Sequence, residues 1–193
     1  FNTGSTGSTF VNCVITGNKS LGRNGLYRPT GATRFVNCSI AGNQSAAEGG
    51  IAILFAGDSI AIDNSIMWGN TATTGNDIYV NTGTASANYS LFNPTQSLGT
   101  ISGSNNLNSD PIFSDANGAD NVYGTEDDDL SLQSSSPAID QASASVANYP
   151  AQDILGQARF GNADLGPLEH LPPPAGTIAI TSPVGNADQN ANL

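Results

Sequence analysis

The chain has 193 residues, 38% hydrophobic, 7% aromatic and 11% charged; that length buries a core, and Ile, Val, Leu and Phe recurring at strand spacing exclude disorder. A formal net charge of −11 excludes nucleic acid as a partner, because phosphates are repelled, and favours divalent cations. No helical apolar stripe, no signal peptide and no apolar run long enough to span a membrane is present.

Charge is unevenly placed. Residues 1–47 hold Lys19, Arg23, Arg28 and Arg34 and no acid, whereas all 16 acids follow from Glu48 with one base, Arg159. Phe1 begins almost directly in a repeat, so a leader and earlier coils are expected upstream.

The stretch Phe10-Val-Asn-Cys-Val-Ile-Thr-Gly-Asn18 returns as Phe35-Val-Asn-Cys-Ser-Ile-Ala-Gly-Asn43 and, degenerate, as Ile62-Asp-Asn-Ser-Ile-Met-Trp-Gly-Asn70. A fourth copy is expected at Asn88-Tyr-Ser-Leu-Phe92. One short strand and one Gly-Asn turn per repeat predict an all-β solenoid, a parallel β-helix with coils stacked in register. Alternation predicts inward ladders Val11/Val36/Ile62, Cys13/Cys38/Asn64 and Ile15/Ile40/Ile66, with Tyr89 inward and Asn12, Asn37 and Asp63 facing the other way. Cys13 and Cys38 then form a thiol ladder rather than a disulfide, because parallel side chains lack the required dihedral. Second strands are expected at Ile51–Phe55 and Ile78–Val80, with Leu26 their counterpart in the first coil. Asn18, Asn43 and Asn70 are expected as a left-handed asparagine ladder. Glycosylation sequons at Asn18, Asn37, Asn43 and Asn88 are matches that Asn- and Ser-rich composition produces by chance.

The predicted organisation is coils over 1–105, a final coil and C-terminal cap over 106–170, a stiff Pro-rich linker over 171–176, and over 177–193 a strand of a following β module or an assembly strand. The cap is expected to hide the apolar cross-section of the last coil.

Five ordered motifs, Asp110-Pro-Ile-Phe113, Asp128-Asp-Leu-Ser-Leu132, Ser136-Pro-Ala-Ile-Asp140, Asp153 to Gly156 to Arg159, and Asp164-Leu-Gly to Glu169, carry a resemblance over residues 8–170. Together they resemble the C-terminal part of bacterial right-handed parallel β-helix surface proteins of the choice-of-anchor Q type, within the pectate-lyase-like superfamily. Pro167 stands where that family more often has alanine. The resemblance implies a right-handed helix in a secreted or surface-attached multidomain protein, mostly without established catalysis. The linker and Thr177–Pro183 resemble the start of an immunoglobulin-like module.

Two residue sets stand out chemically. Asp115, Asn117, Asp120, Asp127 and Asp129 form an oxygen-rich loop broken by Gly118 and Gly124; such a loop either wraps Ca2+ or is a solvated turn capped by its own Asp side chains. Arg159 lies among Asp140, Asp153, Asp164 and Glu169, where a guanidinium bridging two carboxylates would clamp the cap. The expected function is a noncatalytic extracellular or cell-surface scaffold or adhesive module whose partners are polysaccharide or other copies of itself in a filament. The alternative is a polysaccharide lyase or glycan-binding β-helix, with Arg23, Arg28 or Arg34 as base, Asp58, Asp63 and Asp77 as coil carboxylates, and Trp68, Tyr79 and Tyr89 as a sugar-stacking strip. His170, beside the linker, is expected to be exposed and without a nucleophile partner.

Overall fold

The computed structural model describes residues 7–21, 31–53 and 56–171. Leu26, Arg23, Arg28, the linker beyond Leu171 and the strand expected at Thr177–Pro183 lie outside the described residues. Strands run in chain order as β1 (Thr9–Val11), β2 (Val14–Thr16), β3 (Lys19–Ser20), β4 (Ala32–Val36), β5 (Ser39–Ala41), β6 (Gln44–Ser45), β7 (Ile51–Ile53) and β8 (Ser59–Asp63). They continue as β9 (Ile66–Trp68), β10 (Ile78–Val80), β11 (Thr84–Asn88), β12 (Leu91–Phe92), β13 (Ile101–Ser102), β14 (Phe113–Asp115) and β15 (Asp129–Leu132). The described residues contain no α-helix, hence none able to cross a membrane, and one 3-10 turn at Pro94–Gln96.

The protein is a parallel β-helix. One sheet stacks β1-β4-β8-β11-β13 and a second stacks β12-β9-β5-β2, while β7 pairs β10 and β3 pairs β6, all parallel. The last rung is short: Ala85 pairs with Ile101 and Leu91 bridges Leu107. Each coil turns between its first and second strands on a single left-handed residue, Asn12, Asn37, Asn64 or Tyr89, with φ of 51°, 49°, 51° and 49°. Asparagine tolerates that region because its short amide bonds locally.

The register of the third coil corrects the sequence reading. The second coil is two residues longer, so Phe35 pairs with Ile62 and Val36 with Asp63. The inward rows are Phe10/Phe35/Ile62/Ala87, with Phe10 and Phe35 in place of the expected Val11 and Val36 because the left-handed corner resets the alternation, and, past the corner, Ile15/Ile40/Met67/Phe92. Phe10 stacks on Phe35 with centroids 4.8 Å apart. Ile66 is not inward; it shares the outer face of the second sheet with Ser39 and Leu91. Tyr89 occupies a corner, and the corner also interrupts the simple alternation assumed for Asn12 and Asn37. Cys13 and Cys38 are free thiols, and burial pushes the Cys38 thiol up to about 12.

The C-terminal segment packs as a cover along the flank of the stack. Ile66 and Leu91 make the second sheet apolar on its outer face too, and Leu132, Ala138 and Leu165 bury them there. Its acidic portion is the antiparallel hairpin β14-β15. The hairpin docks through Tyr123, whose ring lies over the glycines that follow the second strands: a Cβ on Gly42 would fall 2.1 Å from ring carbons, and one on Gly17 at 2.1 Å from the Tyr123 carbonyl. Those glycines, not the asparagines after them, carry the left-handed φ (65°, 62° and 67° at Gly17, Gly42 and Gly69).

Gly42→Ala should therefore lose about 2 kcal/mol in urea unfolding, combining backbone strain with expulsion of Tyr123. Gly156→Ala, also at positive φ but with open space around its Cβ, should lose only about 1 kcal/mol; equal losses would show that Tyr123 contributes nothing.

Candidate functional site

Three polar constellations organise the molecule, beginning with the ladders. Asn18 Nδ2 donates to Asn43 Oδ1 at 3.0 Å and Asn43 Nδ2 to Asn70 Oδ1 at 2.9 Å, as the repeat predicts. Asn70 Nδ2 then donates to Asp77 Oδ1 at 2.9 Å. Burial is the main reason the Asp77 carboxyl is pushed up to about 6. Asn37 and Asn43 are buried and engaged, so neither is available as a glycan acceptor.

The corner asparagines do a different job, which the sequence reading missed. Asn12 Nδ2 donates to Gln152 O at 2.7 Å, Asn37 Nδ2 to the carbonyls of Asp164 and Gly166 at 3.3 Å each, and Asn64 exchanges two 2.9 Å bonds with the Ser143 backbone. They stitch the cover to successive coils. The signal was present in the Val-Asn-Cys repeat, but an amide at a strand end does not reveal its partner.

Arg159 completes that seam. Its Nη1 pairs with Glu169 Oε2 at 3.2 Å, both side chains 2% exposed, and its Nη2 donates to Asn12 Oδ1 and Gly166 O at 2.9 Å each. The sequence predicts that Arg159 bridges two carboxylates; among the described residues it pairs with Glu169 alone. The other acids cap backbone. Asp153 accepts from the N–H groups of Leu155, Gln157 and Glu169. Asp164 accepts from Asp140 N at 2.8 Å and His170 N at 2.5 Å, and desolvation holds its carboxyl above the usual range. Asp140 joins through its backbone alone. His170 is half-buried, not exposed, and donates from Nδ1 to Leu132 O at 2.9 Å.

The acidic hairpin loop is capped by its own side chains. Asp120 accepts from Val122 N at 2.8 Å, Asp127 from the Thr125 hydroxyl at 2.7 Å, Asp128 from Gly124 N at 2.6 Å and Asp129 from Ser131 N at 2.9 Å. The Thr125 bond chiefly lowers the Asp127 carboxyl. Asp115 and Asn117 are not drawn into this set. Among the described residues no group of three or more His, Cys, Asp or Glu side chains is placed to hold a metal.

On the outer face of the first sheet lies a shallow trough of about 310 Å³, floored by the paired row Thr9, Arg34, Ala61, Ser86 and Ser102. Arg34 Nη1 donates diagonally to Asp63 Oδ2, and Asn88 Nδ2 donates to Asp63 Oδ1 at 3.1 Å. The Asp63 side chain is 4% exposed. Asp58 accepts from Gly31 N. The three aromatics do not form a strip: Trp68 packs on the outer cluster and borders a depression with Asp77, Tyr79 lies in β10, and Tyr89 is a corner.

Comparison of the chain with protein-family models, curated proteins and solved structures gave no match.

Three outcomes are expected here. Glu169→Gln strands a buried guanidinium and should destabilise by about 3 kcal/mol in chemical unfolding. The Asp77 carboxyl binds its proton more tightly folded than unfolded, so its contribution to stability is full below about pH 4 and is lost as pH rises towards 6; Asp77→Asn should flatten that slope in a series of melts across the window. Calcium would have to displace the N–H and hydroxyl partners of Asp120, Asp127 and Asp128. A rise in melting midpoint with calcium, reversed by chelator, would show that exchange, and an unchanged midpoint would leave the loop self-capped.

Proposed function

We propose that the chain is a noncatalytic scaffold or adhesive module of a secreted or cell-surface protein. The Arg34–Asp63 pair carries this reading. A lyase needs a free base and a hydrolase two carboxylates at set separation, and this acid-base contact on the coil face is closed. Both Asp63 oxygens are engaged and the carboxylate is almost fully covered. No other Asp, Glu, Lys or Arg lines the trough among the described residues. The buried charges of the cover are likewise consumed in holding it to the coils.

The resemblance of the five C-terminal motifs to choice-of-anchor Q surface proteins supports the extracellular placement. An acidic module with a rigid parallel-sheet shaft suits display at a surface, and contacts with polysaccharide or with further copies would supply adhesion. Polygalacturonate or alginate incubated with the protein and calcium should release no unsaturated uronate, monitored by ultraviolet absorbance. Release of that product, lost in Arg34→Ala, would overturn the noncatalytic reading.

A further inference from the structure

Two depressions of about 510 and 390 Å³ on the cover meet at Asp140 and Asn162, which line both. Phe160, Ser134 and His170 border the first, and Tyr89 borders the second. The backbone here is pinned while the side chains are left open. Phe160 N donates to Glu169 Oε1 at 2.9 Å, Asp140 N to Asp164 Oδ1 at 2.8 Å and His170 N to Asp164 Oδ2 at 2.5 Å. Yet the Phe160 residue is 65% exposed, and within the described residues neither the Asp140 carboxylate nor the Asn162 amide makes a hydrogen bond. Asp140 also holds a left-handed backbone, φ 58°, a conformation that persists only where its surroundings fix it. The His170 ring spends Nδ1–H on Leu132 O, which leaves Nε2 as the ring nitrogen not used in that bond.

We propose that this cleft binds an uncharged oligosaccharide. A sugar ring presents a C–H face and a rim of hydroxyls. Aromatic platforms at Phe160 and Tyr89 suit the face, and a carboxylate acceptor, an amide and an imidazole nitrogen suit the rim. Fixing the backbone beforehand reduces the ordering entropy that binding must overcome. Among the described residues Asp140 and Glu169 line the cleft and no Lys or Arg does; Arg159, the one base in the sequence from 106 to 171, is sealed against Glu169. Anionic sugars such as uronates are therefore disfavoured.

This inference rests on the adhesive reading, and the two fail separately: turnover of a bound sugar would overturn the noncatalytic reading and leave the site standing, whereas lack of binding removes the site alone. The test is calorimetric titration of the whole chain with cellohexaose, xylohexaose, maltohexaose and chitohexaose, with hexagalacturonate as the anionic comparison. At least one neutral sugar should bind, and both Phe160→Ala and Asn162→Ala should weaken it about tenfold or more at unchanged melting midpoint, because both residues are exposed. Absence of heat with every neutral sugar, unchanged affinity in either variant, or preference for hexagalacturonate would overturn the proposal.

Discussion

A single left-handed residue at the junction of the first and second strands sets the geometry of every coil. At Asn12, Asn37, Asn64 and Tyr89 the chain turns within one residue, so two strands of the same coil enter different sheets without a loop between them. A bulky β-branched residue there would meet steric strain. Because the turn is so short, side chains on both sides of it remain in register between coils, and the inward aliphatic and aromatic rows follow. The asparagines then present their amides outward at a fixed spacing along the corner, which is where the cover is attached.

That cover explains how a chain with so few charged residues keeps several of them buried. Arg159, Glu169, Asp164 and Asp153 are each surrounded by backbone donors, backbone acceptors or each other. Backbone in an irregular segment cannot find ladder partners, so side chains supply them. The same logic runs through the acidic hairpin, where carboxylates tie down N–H groups of a tight loop. Most of the acidity on this face is structural chemistry of turns, and the open Asp140 stands apart from it.

The repeat was legible because strand spacing, the Gly-Asn turn and the Phe-Val-Asn-Cys phrase are local. The inward Ile15/Ile40 pair, the free cysteines, the Asn18/Asn43/Asn70 ladder and the β7-β10 pair all follow from it. The third-coil register was not legible, since two extra residues between Asn43 and Ile62 can be absorbed anywhere in the intervening turn. Nor was the side on which the C-terminal segment packs. Ile66 and Leu91 signal an apolar outer face only once the corner is known to reset the alternation. For the candidate site, the membership of Arg159, Asp153, Asp164 and Glu169 was legible from charge and spacing. Its wiring to Asn12 was not, because that contact joins residues 147 apart in sequence.

That long separation bears on how the molecule forms. Coils of a solenoid communicate only with neighbours, so an uncovered stack can grow rung by rung and fray from its ends. Here Asn12 meets Gln152 and Arg159, Asn64 meets Ser143 and Gly166, and Tyr123 crosses the glycines of three coils. The segment fastens the first rung to the third directly. Closing such distant contacts carries a large loop entropy and slows that step, so the stack precedes the strap in time. Once fastened, opening one rung requires releasing the others, and a linear array acquires the all-or-none behaviour of a globular domain.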